Sequence, residues 1–71
     1  METFNLEKQE FIELNRLLKV LNLVASGGEA KHLIKGGEVK LNNAVEIQVR
    51  KKIRPGDIVE FMGQKIKVVS S

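Results

Sequence analysis

The chain has 71 residues, 42% hydrophobic and 30% charged, a length and composition that fit one small globular domain and exclude wholesale disorder. It contains no cysteine, which excludes a disulfide scaffold, a cysteine nucleophile and every thiolate metal site. The net charge of +3 is unevenly spread: residues 1–30 hold five acids and three bases, whereas residues 31–71 hold nine bases and four acids.

Thr3 to Leu6 alternates polar and apolar residues and predicts a short edge strand. From Gln9 to Leu21, Phe11, Leu14, Leu17, Leu18 and Leu21 recur at helical spacing and predict a first helix that buries one stripe. Glu10 and Glu13 then fall in its first turns, where the helix dipole favours anions. Arg16 and Lys19 share an edge away from the stripe. Ser26-Gly27-Gly28-Glu29 reads as a capping box, with the Ser26 hydroxyl accepting from a free backbone N–H and Glu29 reaching back to the Ser26 amide. A second short helix follows, ending near Lys35, with Gly36 or Gly37 free to turn left-handed. Ala30, Leu33 and Ile34 form its inward face, and Lys31 and Lys35 project together on an outer edge.

The remainder reads as strands. Val39 to Leu41 and Ala44 to Ile47 flank Asn42-Asn43, and asparagine tolerates the positive φ that tight hairpins require. Arg54-Pro55-Gly56-Asp57 is a second turn before a strand from Ile58 to Phe61. Met62-Gly63-Gln64 is a third, leading to Ile66, Val68 and Val69. The architecture is α+β: two short packed helices followed by a small antiparallel β-sheet. No apolar run approaches the ~20 residues that span a bilayer, and the N-terminus lacks a basic-then-apolar leader, so the expected location is the cytoplasm.

The ordered set of Leu14, Leu17 and Leu18, then Ser26-Gly27-Gly28-Glu29-Ala30-Lys31-His32-Leu33-Ile34-Lys35, then Gly37-Glu38-Val39-Lys40-Leu41-Asn42, then Pro55-Gly56-Asp57-Ile58-Val59 resembles a known family. It is similar to the RNA-binding domain named after small-subunit ribosomal protein S-four, also called the alpha-L motif. The matching stretch covers about residues 11–61, and the pattern also resembles small stand-alone bacterial members of the YbcJ type. The resemblance implies a two-helix face that docks on folded ribosomal or transfer RNA; in the family the module is often attached to a catalytic domain, whereas here none is expected, nor any cofactor. Ribosomal or RNA-modifying proteins are the further partners it implies, and a monomer is expected. The sequence departs from the family where a basic residue usually stands near the start of the first helix and directly after the serine. Ile12-Glu13 and Gly27 occupy those places, and the usual Asn-Gly turn is Asn42-Asn43.

The candidate contacts follow from charge and from this resemblance. Arg16, Lys19, Lys31 and Lys35 are the basic helix edges. Ser26 and Gly27, with Gly28, stand where helix N-terminal amides meet phosphate. Lys40, Asn42 and Asn43 cluster at the hairpin, and Arg50, Lys51, Lys52 and Arg54 form a basic loop. Solvated lysines, plain capping and plain turn chemistry are the structural alternatives at these positions. His32 has no metal-binding partner in sequence. Phe4, Phe11 and Phe61 all fall in apolar patterns, which leaves no ring for stacking bases and favours recognition by phosphate and shape.

Two further readings compete with RNA binding. One is a protein-interaction adaptor that keeps the fold with little RNA affinity, motivated by the missing basic residues and low net charge. An exposed Val20, Val24 or Ile12, which lie off the helical stripe, would form its partner patch. The other is an enzyme, disfavoured because no cysteine, no partnered histidine, no P-loop and no dinucleotide fingerprint exists.

Overall fold

The C-terminal half alternates apolar and polar residues, so its strands must bury one face of a sheet against another layer. The computed structural model of the protein describes residues 1–70. In chain order the elements are β1 (Glu2–Asn5), β2 (Ile12–Glu13), α1 (Leu14–Val20), α2 (Gly27–Lys35), β3 (Val39–Leu41), β4 (Ala44–Val45), β5 (Lys52–Ile53), β6 (Ile58–Phe61) and β7 (Gln64–Val69). A five-stranded sheet runs β1-β7-β6-β3-β4. Its registers set Val39 opposite Phe61 and Val59 opposite Ile66, and these side chains are all buried.

Both hairpins turn on two consecutive residues with positive φ: Asn42 (52°) and Asn43 (72°), then Met62 (52°) and Gly63 (79°). That geometry matches the twist of the flanking strands, and asparagine and glycine tolerate it best. The sheet is mixed rather than wholly antiparallel, because β1 pairs in parallel with β7 in the register Phe4 to Val68. Alternation marks residues 3–6 as a strand, which the structure places at Glu2–Asn5, but says nothing of direction. The strand after the first hairpin is also shorter than expected: it stops at Val45, although the Glu46 N–H still donates to the Val39 carbonyl at 3.0 Å.

The helices cover the buried face, α1 through Leu14, Leu17 and Leu18 and α2 through Ala30 and Ile34. The first helix begins five residues later than helical periodicity predicts. Ile12 and Glu13 instead pair with Ile53 and Lys52 in an antiparallel ribbon. Ile12 and Leu14, two apart, are both buried, which is strand spacing up to the point where the helix starts. Glu10 and Glu13 therefore precede α1, whose first turn holds no acid. The second helix starts as expected, with the Ser26 hydroxyl accepting from the Glu29 N–H at 3.2 Å. The Glu29 carboxylate accepts from Ala25 at 2.8 Å, one residue before the expected amide. At its end Gly37 is left-handed (φ 82°), and the Glu38 and Gly37 amides donate to the Leu33 and Ile34 carbonyls, a Schellman closure.

Asn42 does more than turn. Its Oδ1 accepts from the Ile58 N–H at 2.9 Å and its Nδ2 donates to Asp57 Oδ1 at 3.1 Å. Asp57 Oδ2 accepts from the Arg54 N–H at 2.8 Å, which closes the Pro55-Gly56 turn. One side chain thus ties two turns together. Asn42→Ala is expected to lower unfolding stability by about 2 kcal/mol, from the lost hydrogen bonds and the strained φ. Asn42→Gly, which relieves only the φ, should lose less. Urea midpoints for the two variants check the order.

Candidate nucleic-acid interface

A seven-residue helix is too short to sustain itself in water, and α1 has no side-chain cap at Glu13. Its first amides are satisfied from elsewhere in the chain. The Leu14 N–H donates to the Lys51 carbonyl at 2.9 Å and the Asn15 N–H to the Val49 carbonyl at 3.0 Å. The segment 49–53, which carries Arg50, Lys51 and Lys52, is thereby pinned against the start of α1. Backbone oxygens make these bonds, so none of the cationic side chains is spent on them.

Two open grooves result. One is lined by Glu13, Asn15, Arg16, Lys19, Val20, Asn22 and Gly27. The other is lined by Asn15, Gly27, Gly28, Lys31, Lys35, Val49 and Arg50. Asn15 and Gly27 border both, so the grooves form one continuous surface carrying five cations (Arg16, Lys19, Lys31, Lys35, Arg50) and one carboxylate. All five cations are exposed. A concave surface lined by one sign of charge concentrates field and draws polyanions. At the seam, Asn15 Oδ1 is buried without a hydrogen-bond partner. Gly27 faces open space: a Cβ there would meet nothing within 4 Å.

Arg16, Lys19, Lys31, Lys35, Gly27 and Arg50, singled out from the sequence, therefore share one face. Gly28 lines it too, and the remaining candidates line neither groove. Lys51 is half-buried, lines neither groove and contributes its carbonyl to α1. Lys52 belongs to β5 rather than to a loop, so the stretch from Arg50 to Arg54 is not one basic loop; the ribbon with Glu13 interrupts it. Lys40 sits on β3 opposite Glu60, on the sheet face away from buried Val39. The Asn42 amide is engaged in the turn, and the Ser26 hydroxyl caps α2. The apolar patch expected of an adaptor reduces to Val20. Ile12 packs against Ile53 in the ribbon and Val24 joins the core, leaving only Val20 of the three exposed.

Sequence reasoning missed three participants. Asn15 and Val49 lie where two non-local segments meet, a proximity without any local pattern. Phe11, expected in the first helix, is neither helical nor part of the hydrophobic core; its ring lies 4.9 Å from Lys52 Nζ and 5.8 Å from the Arg54 guanidinium carbon.

Two short packed helices on a small sheet, with cations of both helices on one side, define the α+β alpha-L class of fold. The S4 domain model matches residues 4–69, and the chain belongs to the S4 domain family. It is 43% identical over 70 residues to YbcJ of Escherichia coli strain K12 and to YbcJ of Shigella flexneri, spanning 99% of this chain and 100% of each relative. It is 35% identical over 54 residues, 76% of each chain, to RlbA of Bacillus subtilis strain 168, named a probable ribosome maturation protein. The solution structure of Escherichia coli YbcJ, described as revealing an alfaL motif involved in RNA-binding, superposes with a TM-score of 0.73 at 43% identity. The match covers 97% of this chain and 87% of that one.

If segment 49–53 caps α1 as described, the Leu14 and Asn15 amides are protected from solvent although they open a helix. Hydrogen exchange followed by NMR should show them as slow as the helix interior. Exchange at the rate of a frayed first turn would contradict the pinned arrangement.

Proposed function

We propose that the protein is a non-enzymatic, cytoplasmic RNA-binding module, one domain over residues 1–71. In this reading it docks its two-helix face on structured ribosomal or transfer RNA. The observation that carries this reading is the pair of contiguous grooves lined by Arg16, Lys19, Lys31, Lys35 and Arg50. Folded RNA offers phosphates bordering a wide, shallow minor groove, which lysine and arginine grip without reading base edges. The likeness to YbcJ, whose motif is tied to RNA binding, and to RlbA, named for ribosome maturation, supports the same reading. A role in ribosome assembly, translation or RNA modification follows, alongside ribosomal or RNA-modifying proteins. For the adaptor reading, burial of Ile12 and Val24 leaves Val20 as the exposed one of its three apolar candidates.

Gly27 gives this reading a test in both directions. A basic residue follows the serine in many family members, and the space around Gly27 admits a side chain. Binding to folded ribosomal RNA fragments would be measured at two salt concentrations, with single-stranded RNA and duplex DNA as competitors. Lys31→Glu/Lys35→Glu should weaken binding and reduce the log–log salt slope by about 2, whereas Gly27→Arg should tighten binding and steepen it by about 1. No binding at low salt, or a double variant that binds like the parent, overturns the reading.

A further inference from the structure

Phe11 is an aromatic ring that the core does not use. Of the three phenylalanines, Phe61 is fully buried and Phe4 packs against the core, while Phe11 is half-buried outside it. Its recorded companions are cations, Lys52 Nζ at 4.9 Å and the Arg54 carbon at 5.8 Å from the ring centroid. With Gln9, Ile12, Glu13 and Arg16 it lines an open groove of about 200 Å³. That is below the ~300 Å³ usual for a whole small-molecule ligand, so the groove suits a flat fragment of something larger. Glu13 and Arg16 also line the first groove of the basic face, which makes the Phe11 groove its continuation.

We propose that Phe11 is a stacking platform for one unpaired nucleobase of the RNA held on the two-helix face, with Lys52 and Arg54 taking the flanking phosphates. This rests on the RNA-binding reading and extends it from shape recognition to a preference for RNA with an extruded base. A planar base offers the ring more contact than a cation does, and stacking on an aromatic side chain tolerates any base. The two cations exchange a weak attraction to the ring for charge-assisted hydrogen bonds to phosphate oxygens, which are stronger. Glu13 repels phosphate from the centre of the groove while its carboxylate and the Gln9 amide remain available to N–H groups on a base edge. The backbone is held toward the cations and the base toward the ring.

The test uses two RNA hairpins of the same stem, one with a single bulged guanosine and one fully paired, against the intact protein and its Phe11→Leu and Phe11→Trp variants. The parent should prefer the bulged hairpin. Phe11→Leu should lose roughly tenfold affinity for it, as expected for one lost stacking contact, and bind the paired stem unchanged. Phe11→Trp should keep the preference, and its indole emission should be quenched by the bulged hairpin alone. Thermal unfolding of both variants checks that they fold. An equal loss on both hairpins would reduce Phe11 to an anchor for Lys52 and Arg54, and no loss on either would remove it from the site; both overturn the proposal while RNA binding stands. If the parent binds neither hairpin, the RNA-binding reading falls and the stacking site falls with it.

Discussion

Two backbone hydrogen bonds, from the Leu14 and Asn15 amides to the Lys51 and Val49 carbonyls, tie the start of α1 to the basic segment 49–53. α1 spans seven residues, has no side-chain cap and has no acid in its first turn, so little in its own sequence stabilises its start. The segment that completes it comes from more than thirty residues downstream, and it is the segment carrying Arg50, Lys51 and Lys52. The short ribbon pairing Ile12 with Ile53 and Glu13 with Lys52 sets the register of that docking. Folding the first helix and assembling the basic face are therefore one event.

The charge asymmetry of the chain acquires a structural meaning in this arrangement. Several carboxylates are engaged as local acceptors: Glu29 at Ala25, Glu46 at Gln48, and Asp57 at Arg54 and Asn42. Acids shape turns and caps, and the cations of α1, α2 and residue 50 are left on an exposed surface. A net charge of only +3 thus coexists with a face that carries five cations and a single carboxylate. Local placement, not the total, decides what such a small protein attracts.

The elements that could be read from sequence are those whose cause is local. Ser26 and Glu29 bracket the start of α2, Gly37 closes it, and the Asn42-Asn43 and Met62-Gly63 turns set two hairpins. Lys31 and Lys35 share a face because helical spacing puts them there. The misread elements depend on distant partners. Residues 9–13 have helical spacing but stay outside α1, and Ile12 and Glu13 form a strand because Ile53 and Lys52 pair with them. The direction of β1 is set by β7, and Lys40 is turned to the far side of the sheet by the burial of Val39 and Leu41 on either side of it. Asn42 reads as turn chemistry, and only the folded chain brings Asp57 and Ile58 to its amide. Phe11 reads as core, and only the shortened helix puts it outside.

In the proposed reading the RNA-facing surface is the seam between α1, α2 and segment 49–52, not the lysine-bearing outer face of the sheet. The most direct measurement is amide chemical-shift mapping by NMR during titration with a folded ribosomal RNA fragment. The largest shifts are expected at residues 13–19, 27–35 and 49–52, with Lys40, Lys65 and Lys67 little changed. Shifts concentrated at Lys40, Lys65 and Lys67, with the helices silent, would contradict it.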